Sequence, residues 1–159
     1  MLSTSAKTRL DKEFKALTDN GHEIGVTSLR RVQDDEWTVT LKGPENSPYE
    51  GGVFHIVLTW PAHYPIQPPS VRFTPPLWHP NVSPDGTVRH PVLTTEHEEG
   101  AAEDTWTPAQ NSRTILLTLI HLMNNPDILT PANVDASIQY RENPEVFART
   151  AAQHRKNNA

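Results

Sequence analysis

The apolar positions change period along the chain, and the changes mark out its elements. Leu10, Phe14 and Leu17 recur at helical spacing, which predicts a helix over Ser3 to Leu17. Ser3, Thr4 or Ser5 can cap its first turn with a side-chain oxygen, and Asn20-Gly21 is a stop signal. The period then drops to two. A first strand falls within Gly25 to Val32. In the second, Glu36 to Lys42, Trp37, Val39 and Leu41 alternate with Thr38, Thr40 and Lys42, so one face is buried. Gln33-Asp34-Asp35 is the short polar turn that a hairpin needs. Gly43 to Gly52 is a loop with turn residues at both ends, and Val53 to Trp60, rich in β-branched and aromatic residues, predicts a third strand.

Prolines at 61, 65, 68, 69, 75, 76 and 80 crowd the next stretch. Each removes an N–H donor, so only Val71-Arg72-Phe73 leaves room for a short strand. Glu96 to Asp104 is acidic, aperiodic and rich in small residues, which reads as a loop. Thr107-Pro108 carries the cap-then-proline signal of a helix start. Ile115, Leu116, Leu119, Leu122 and Met123 form that helix's apolar stripe, and Asn124-Asn125-Pro126 stops it. A further helical region runs from Val134 to Arg155. Asn143-Pro144 breaks it in two, with Asn143 as a cap, and Phe147 and Ala151 face inward in the second part. A helix, antiparallel strands and then helices make an α+β single domain over residues 1–159.

A chain of 159 residues can bury a core without covalent staples. Its formal net charge of −5 and lack of a basic stripe point away from nucleic acid. No apolar run approaches a membrane span, and the mixed, polar stretch from Met1 to Lys15 is unlike a secretory signal. A cytoplasmic or nuclear protein, with no membrane insertion, is the expectation. There is no cysteine, hence no disulfide and no thiolate metal site. His79, His90 and His97 match no short ligand spacing, so neither a metal nor another cofactor is expected.

Several motifs in order resemble the ubiquitin-conjugating enzyme family. They are Gly43-Pro44 with Ser47-Pro48-Tyr49-Glu50-Gly51-Gly52-Val53-Phe54, Tyr64-Pro65-Ile66-Gln67-Pro68-Pro69, and His79-Pro80-Asn81 followed by Pro84-Asp85-Gly86. Trp106-Thr107-Pro108-Ala109 and Asn133-Val134-Asp135-Ala136 complete the set. The insertion between position 89 and Trp106, with Glu96, Glu98, Glu99, Glu103 and Asp104, is similar to the acidic-loop subgroup. The resemblance implies the UBC fold: an N-terminal helix, a four-stranded antiparallel meander sheet, a central helix and two C-terminal helices.

It also implies a chemistry that this chain departs from. In the family an activating enzyme passes ubiquitin's C-terminus to a cysteine, and a lysine amine attacks the thioester. The position that carries this cysteine is Arg89 here. A thiolate is a good nucleophile near neutral pH. A guanidinium, with a pKa above ~12, neither attacks nor leaves. Thr87, Thr94 and Thr95 are nearby, but none aligns with position 89 and each would need a general base. The following His90-Pro91-Val92-Leu93 also departs from the family's pattern. Without a thioester, the family's oxyanion role for Asn81 is idle. Asn81 is expected to bond backbone within a tight loop, and His79 to brace the loop.

The resemblance assigns binding surfaces as well. Ile66, next to Pro65, and Thr107, Pro108 and Ala109 fall in the two loops that meet ligases. Lys7, Arg9 and Lys12 fall on the face that meets the activating enzyme. The expected function is that of a non-catalytic variant, an adaptor or regulator. Its partners would be ubiquitin or a ubiquitin-like protein, a ligase, or an active conjugating enzyme. Two alternatives stand beside it: an active conjugating enzyme whose cysteine has been replaced by Arg89, and a scaffold that does not bind ubiquitin.

Overall fold

Alternation over Glu36–Lys42 produces the strand around which the core is built. The computed structural model describes residues 1–95, 105–129 and 131–157. In chain order its main elements are α1 (Thr4–Asn20), β1 (Val26–Gln33), β2 (Glu36–Lys42), β3 (Val53–Thr59), β4 (Ser70–Phe73), α2 (Ser112–Asn124), α3 (Val134–Glu142) and α4 (Pro144–Asn157). The strands form one antiparallel sheet in the order β1-β2-β3-β4, the α+β meander expected. Register places Trp37 opposite Leu58, Val39 opposite Ile56 and Leu41 opposite Phe54; Phe73 and Val71 then pair with Ile56 and Leu58. All of these side chains are buried on one face. Each fully buried side chain of this size contributes about 1.5–3 kcal/mol through its removal from water.

The helices supply the other half of the core with Ala6, Leu10 and Leu17 of α1 and Ile115, Leu116, Leu119, Leu122 and Met123 of α2. Phe14, Trp37, Trp60 and Tyr64 form a chain of edge-to-face rings, with centroids 5.2, 4.8 and 4.6 Å apart. β1 is the open edge. Only Val26 is buried in it, and two register shifts plus Arg30 and Arg31 discourage pairing with another sheet.

Two boundaries differ from the sequence reading. Helix α1 runs to Asn20, and Gly21 continues in right-handed backbone (φ −61°) into a helical turn over Gly21–Ile24. The left-handed stop is Gly25 (φ 100°). Gly21 serves close packing instead, because a Cβ there would stand 3.1 Å from the Cβ of Val26. Helix α2 starts at Ser112 rather than at Thr107-Pro108. Asn111 and Thr114 form a reciprocal capping box, and this satisfies two backbone groups where Pro108 satisfies none. The Thr107-Pro108 segment becomes a turn closed by Gln110 N–H to Thr107 O (2.9 Å). The break between α3 and α4 falls at Asn143-Pro144 as expected.

Candidate functional site

The chain leaving β4 is fixed from several sides before it reaches position 89. Tyr49, buried at the end of the Gly43–Gly52 loop, donates its hydroxyl to Trp78 O (2.6 Å). Gly43 allows this loop its path, since a Cβ there would fall 1.8 Å from Tyr49 O. The Trp78 indole N–H reaches Gln139 Oε1 on α3 (2.9 Å). Pro80 O accepts from the amides of Ala132 and Asn133, which anchors the start of α3 on the same segment.

His79 is 1% exposed. Its Nδ1 accepts the Asn81 amide (2.9 Å), so the neutral ring carries its proton on Nε2 and donates it to Leu122 O (2.6 Å). Burial lowers its pKa to about 4, against the favourable pull of the Leu122 carbonyl. With both nitrogens engaged and the ring enclosed, His79 is no general base; it braces the loop. Asn81, also 1% exposed, bonds backbone too. Its Nδ2 donates to Asp127 O (2.7 Å) and its Oδ1 accepts from Asp127 N–H (2.9 Å). The side-chain amide thus clasps the backbone just after α2, 46 residues away.

The Ser83–Thr87 turn presents position 89. Ser83 N–H bonds Thr87 O and Gly86 N–H bonds Ser83 O, while the Ser83 hydroxyl and the Thr87 amide both donate to the Asp85 carboxylate. Those bonds hold the Asp85 pKa down to about 2. Gly86 has φ 96°, and Phe73 N–H donates to its carbonyl (2.8 Å). Val88 is buried and bonds Val71 O (2.9 Å); Arg89 N–H then bonds Asn81 O (2.8 Å). Backbone at 89 is therefore clamped, while the Arg89 side chain is exposed. His90 Nδ1 accepts from Val92 N–H and caps the helical turn over Pro91–Leu93, where Pro91 sits at a position that needs no donor.

The two loops marked by the resemblance come together at a second face. Trp106 donates its indole N–H to Pro65 O (2.8 Å), and its amide bonds Thr94 O (2.9 Å). Ile66 is 68% exposed, and Thr107, Pro108 and Ala109, which follow Trp106 in the chain, are exposed as well. Lys7 and Lys12 are exposed on α1, with Lys7 in a loose surface pair with Asp34 (3.8 Å). Arg9 is different. It donates Nε to Glu13 (2.9 Å) and Nη2 to Gln110 O (2.6 Å), and lies 5.2 Å from the Tyr64 ring centre. Glu13, not singled out from sequence, is the hub: it also accepts the Tyr64 hydroxyl and the Ser112 amide, each at 2.6 Å. Burial, then this bond to Glu13, raises the Tyr64 pKa. The acidic residues Glu96, Glu98, Glu99, Glu103 and Asp104, and His97, lie outside the described residues. Among the described residues no group of three His, Asp or Glu could hold a metal, and no helix is long and apolar enough to cross a membrane.

A family model for ubiquitin-conjugating enzymes matches residues 9–155. The chain belongs to the ubiquitin-conjugating enzyme family. It is similar to the African swine fever virus (isolate Pig/Kenya/KEN-50/1950) protein named ubiquitin-conjugating enzyme E2, with 43% identity over 130 residues. That match covers 82% of this chain and 59% of the viral protein, so the chain spans less than two thirds of this relative. Schizosaccharomyces pombe ubiquitin-conjugating enzyme E2 15 is 36% identical over 92% of the chain and 91% of its own length. A crystal structure described as that of a ubiquitin conjugating enzyme from Plasmodium yoelii superposes with a TM-score of 0.82 at 31% identity. It covers 100% of this chain and 98% of that one. The UBC fold inferred from motifs is therefore the fold of the chain. Within that family fold, the clasp of Asn81 on Asp127 and the Glu13 hub are what position 89 and the two loops are built on.

Proposed function

We propose that this chain is a non-catalytic member of the ubiquitin-conjugating enzyme family. It acts as an adaptor or competitor, engaging ubiquitin or a ubiquitin-like protein together with a ligase or an active conjugating enzyme. One observation carries the reading: position 89, backbone-clamped to Asn81, presents a guanidinium, and the chain has no cysteine anywhere. Acyl transfer needs an electron pair to attack with and a stable leaving group, and arginine offers neither. The preformed pair of loops with exposed Ile66 supports the ligase-binding part, since an apolar anchor on rigid backbone suits a binding hot spot.

Incubation with activating enzyme, ATP and ubiquitin tests the catalytic half. The unaltered chain is expected to form no covalent adduct; an adduct cleaved by mild hydroxylamine refutes the reading. The intact frame around 89, with His79 and Asn81 both in place, favours one second reading, an active enzyme altered at a single position. Arg89→Cys separates the two. A thiol-reducible ubiquitin adduct on that variant supports the altered-enzyme reading, and its absence from a folded variant supports the adaptor. Binding of isotope-labelled ligase RING or U-box domains, read by NMR and abolished by Ile66→Ala, tests the adaptor half.

A further inference from the structure

Among the described residues, nearly all the polar groups around position 89 are engaged. Both His79 ring nitrogens and both Asn81 amide atoms are bonded. Ser83, Asp85 and Thr87 hold their own turn, and His90 caps the turn that follows. Arg89 is the exception. Its side chain is exposed and has no hydrogen bond or ion pair among the described residues. Its backbone is fixed on Asn81 O, so the base of the side chain has a defined place. A planar guanidinium with five donors and no acceptor fits a carboxylate edge to edge, with two parallel bonds.

The surroundings narrow the kind of anion. The chain is acidic, with a net charge of −5, so a polyanion gains nothing from its wider field. Asn81, whose carbonyl holds Arg89, also clasps the backbone of Asp127. Two residues on, Leu129 is 83% exposed, with Ile128 39% exposed beside it. Asn81 is thus bonded to the backbone of Arg89 on one side and, on the other, to the backbone of the residue that precedes Ile128 and Leu129. That combination suits an extended peptide tail that ends in a single carboxylate.

We infer that Arg89 turns the site from one that would carry a ubiquitin C-terminus covalently into one that holds the free C-terminal carboxylate of ubiquitin by a guanidinium–carboxylate pair. The inference rests on the proposed binding of ubiquitin. It adds a selectivity: the chain prefers ubiquitin with a free terminus to ubiquitin whose terminus is already tied in an amide. No bond is made or broken. An exposed pair of this kind contributes modestly, so the preference is expected to be about two- to five-fold in affinity.

The test titrates the isotope-labelled full chain with ubiquitin and with ubiquitin of the same length bearing a C-terminal carboxamide. Expected are a shift of the Arg89 Nε–H signal with the free acid, little with the amide, and weaker binding of the amide by about two- to five-fold. Arg89→Gln, at an exposed position, is expected to keep the wild-type fingerprint spectrum and to bind both forms alike. Equal affinity of the unaltered chain for the two forms overturns the inference while leaving ubiquitin binding in place. A preference that survives in Arg89→Gln also overturns it. Absence of any shift with either form at millimolar concentration removes ubiquitin binding itself and the inference with it.

Discussion

Replacing Glu13 by Ala removes the carboxylate on which α1, Tyr64 and the start of α2 converge, and its cost can be worked from the geometry. Its side chain is 12% exposed, so water cannot readily take its place. The Ser112 amide loses its acceptor at a helix start whose other first-turn bond is made by Asn111. An unsatisfied, partly buried donor costs about 1–3 kcal/mol. The Tyr64 hydroxyl, a neutral donor to a charged group, loses the acceptor it has among the described residues, at about 1 kcal/mol or more. Arg9 is 32% exposed on its side chain and keeps Gln110 O, so its loss is that of a surface pair, about 0–1 kcal/mol. The sum is roughly 2–5 kcal/mol, a fall in Tm of about 5–15 °C for a domain of this size. Glu13→Gln retains one acceptor for Ser112 but turns an amide donor toward Arg9 or Tyr64, so it should lie between wild type and Glu13→Ala. Urea unfolding followed by tryptophan fluorescence measures both variants. A Glu13→Ala protein within about 0.5 kcal/mol of wild type, the range of an inert surface change, would refute the assignment of Glu13 as a hub.

Acid titration tests His79. Its folded pKa of about 4 lies below the ordinary 6.5 because the ring is buried, so the unfolded chain takes up a proton before the folded one does. Stability is unaffected above pH 6.5 and falls between 6.5 and 4, by about 1.4 kcal/mol per pH unit at most and about 3 kcal/mol in all. A His79→Gln variant whose stability falls just as steeply over that window would show that the slope has another source. Asn81→Ala leaves the backbone of Asp127 without its two partners and is expected to cost about 2–4 kcal/mol. Hydrogen exchange should show the Asp127 amide losing protection, and unchanged protection would contradict the clasp. Gly86→Ala adds a side chain at φ 96° with its Cβ 2.2 Å from Phe73 O. A loss of about 2–4 kcal/mol in urea unfolding is expected, and a neutral outcome would mean that the turn has another path.

The strands and the broken C-terminal helix were readable because their causes are local. Alternation around Trp37, Val39 and Leu41 gives the buried face directly, and Asn143-Pro144 interrupts a helix by itself. The start of α2 was misplaced because Thr107-Pro108 and Asn111-Ser112-Arg113-Thr114 are competing local signals, and only the second closes on itself with two bonds. Residues that position the site were hidden for a different reason. Glu13 meets Tyr64 51 residues away and Ser112 99 residues away. Asn81 meets Asp127 across 46 residues. No periodicity records a bond between distant segments. The nearest local hint was the i,i+4 spacing of Arg9 and Glu13, which by itself reads as an ordinary helix-surface pair. Arg89, by contrast, was legible at once, because the chemistry at that position depends on the identity of one side chain.

The indole of Trp106 bonded to Pro65 has a consequence for how this protein could change allegiance. Two outward loops far apart in the chain are bolted into one platform before any visitor arrives. Docking there would freeze little backbone motion, so the entropic toll of association falls mainly on the visitor. New tastes would then come from exchanging the side chains at Ile66 and 107–109, with the platform underneath left as it is.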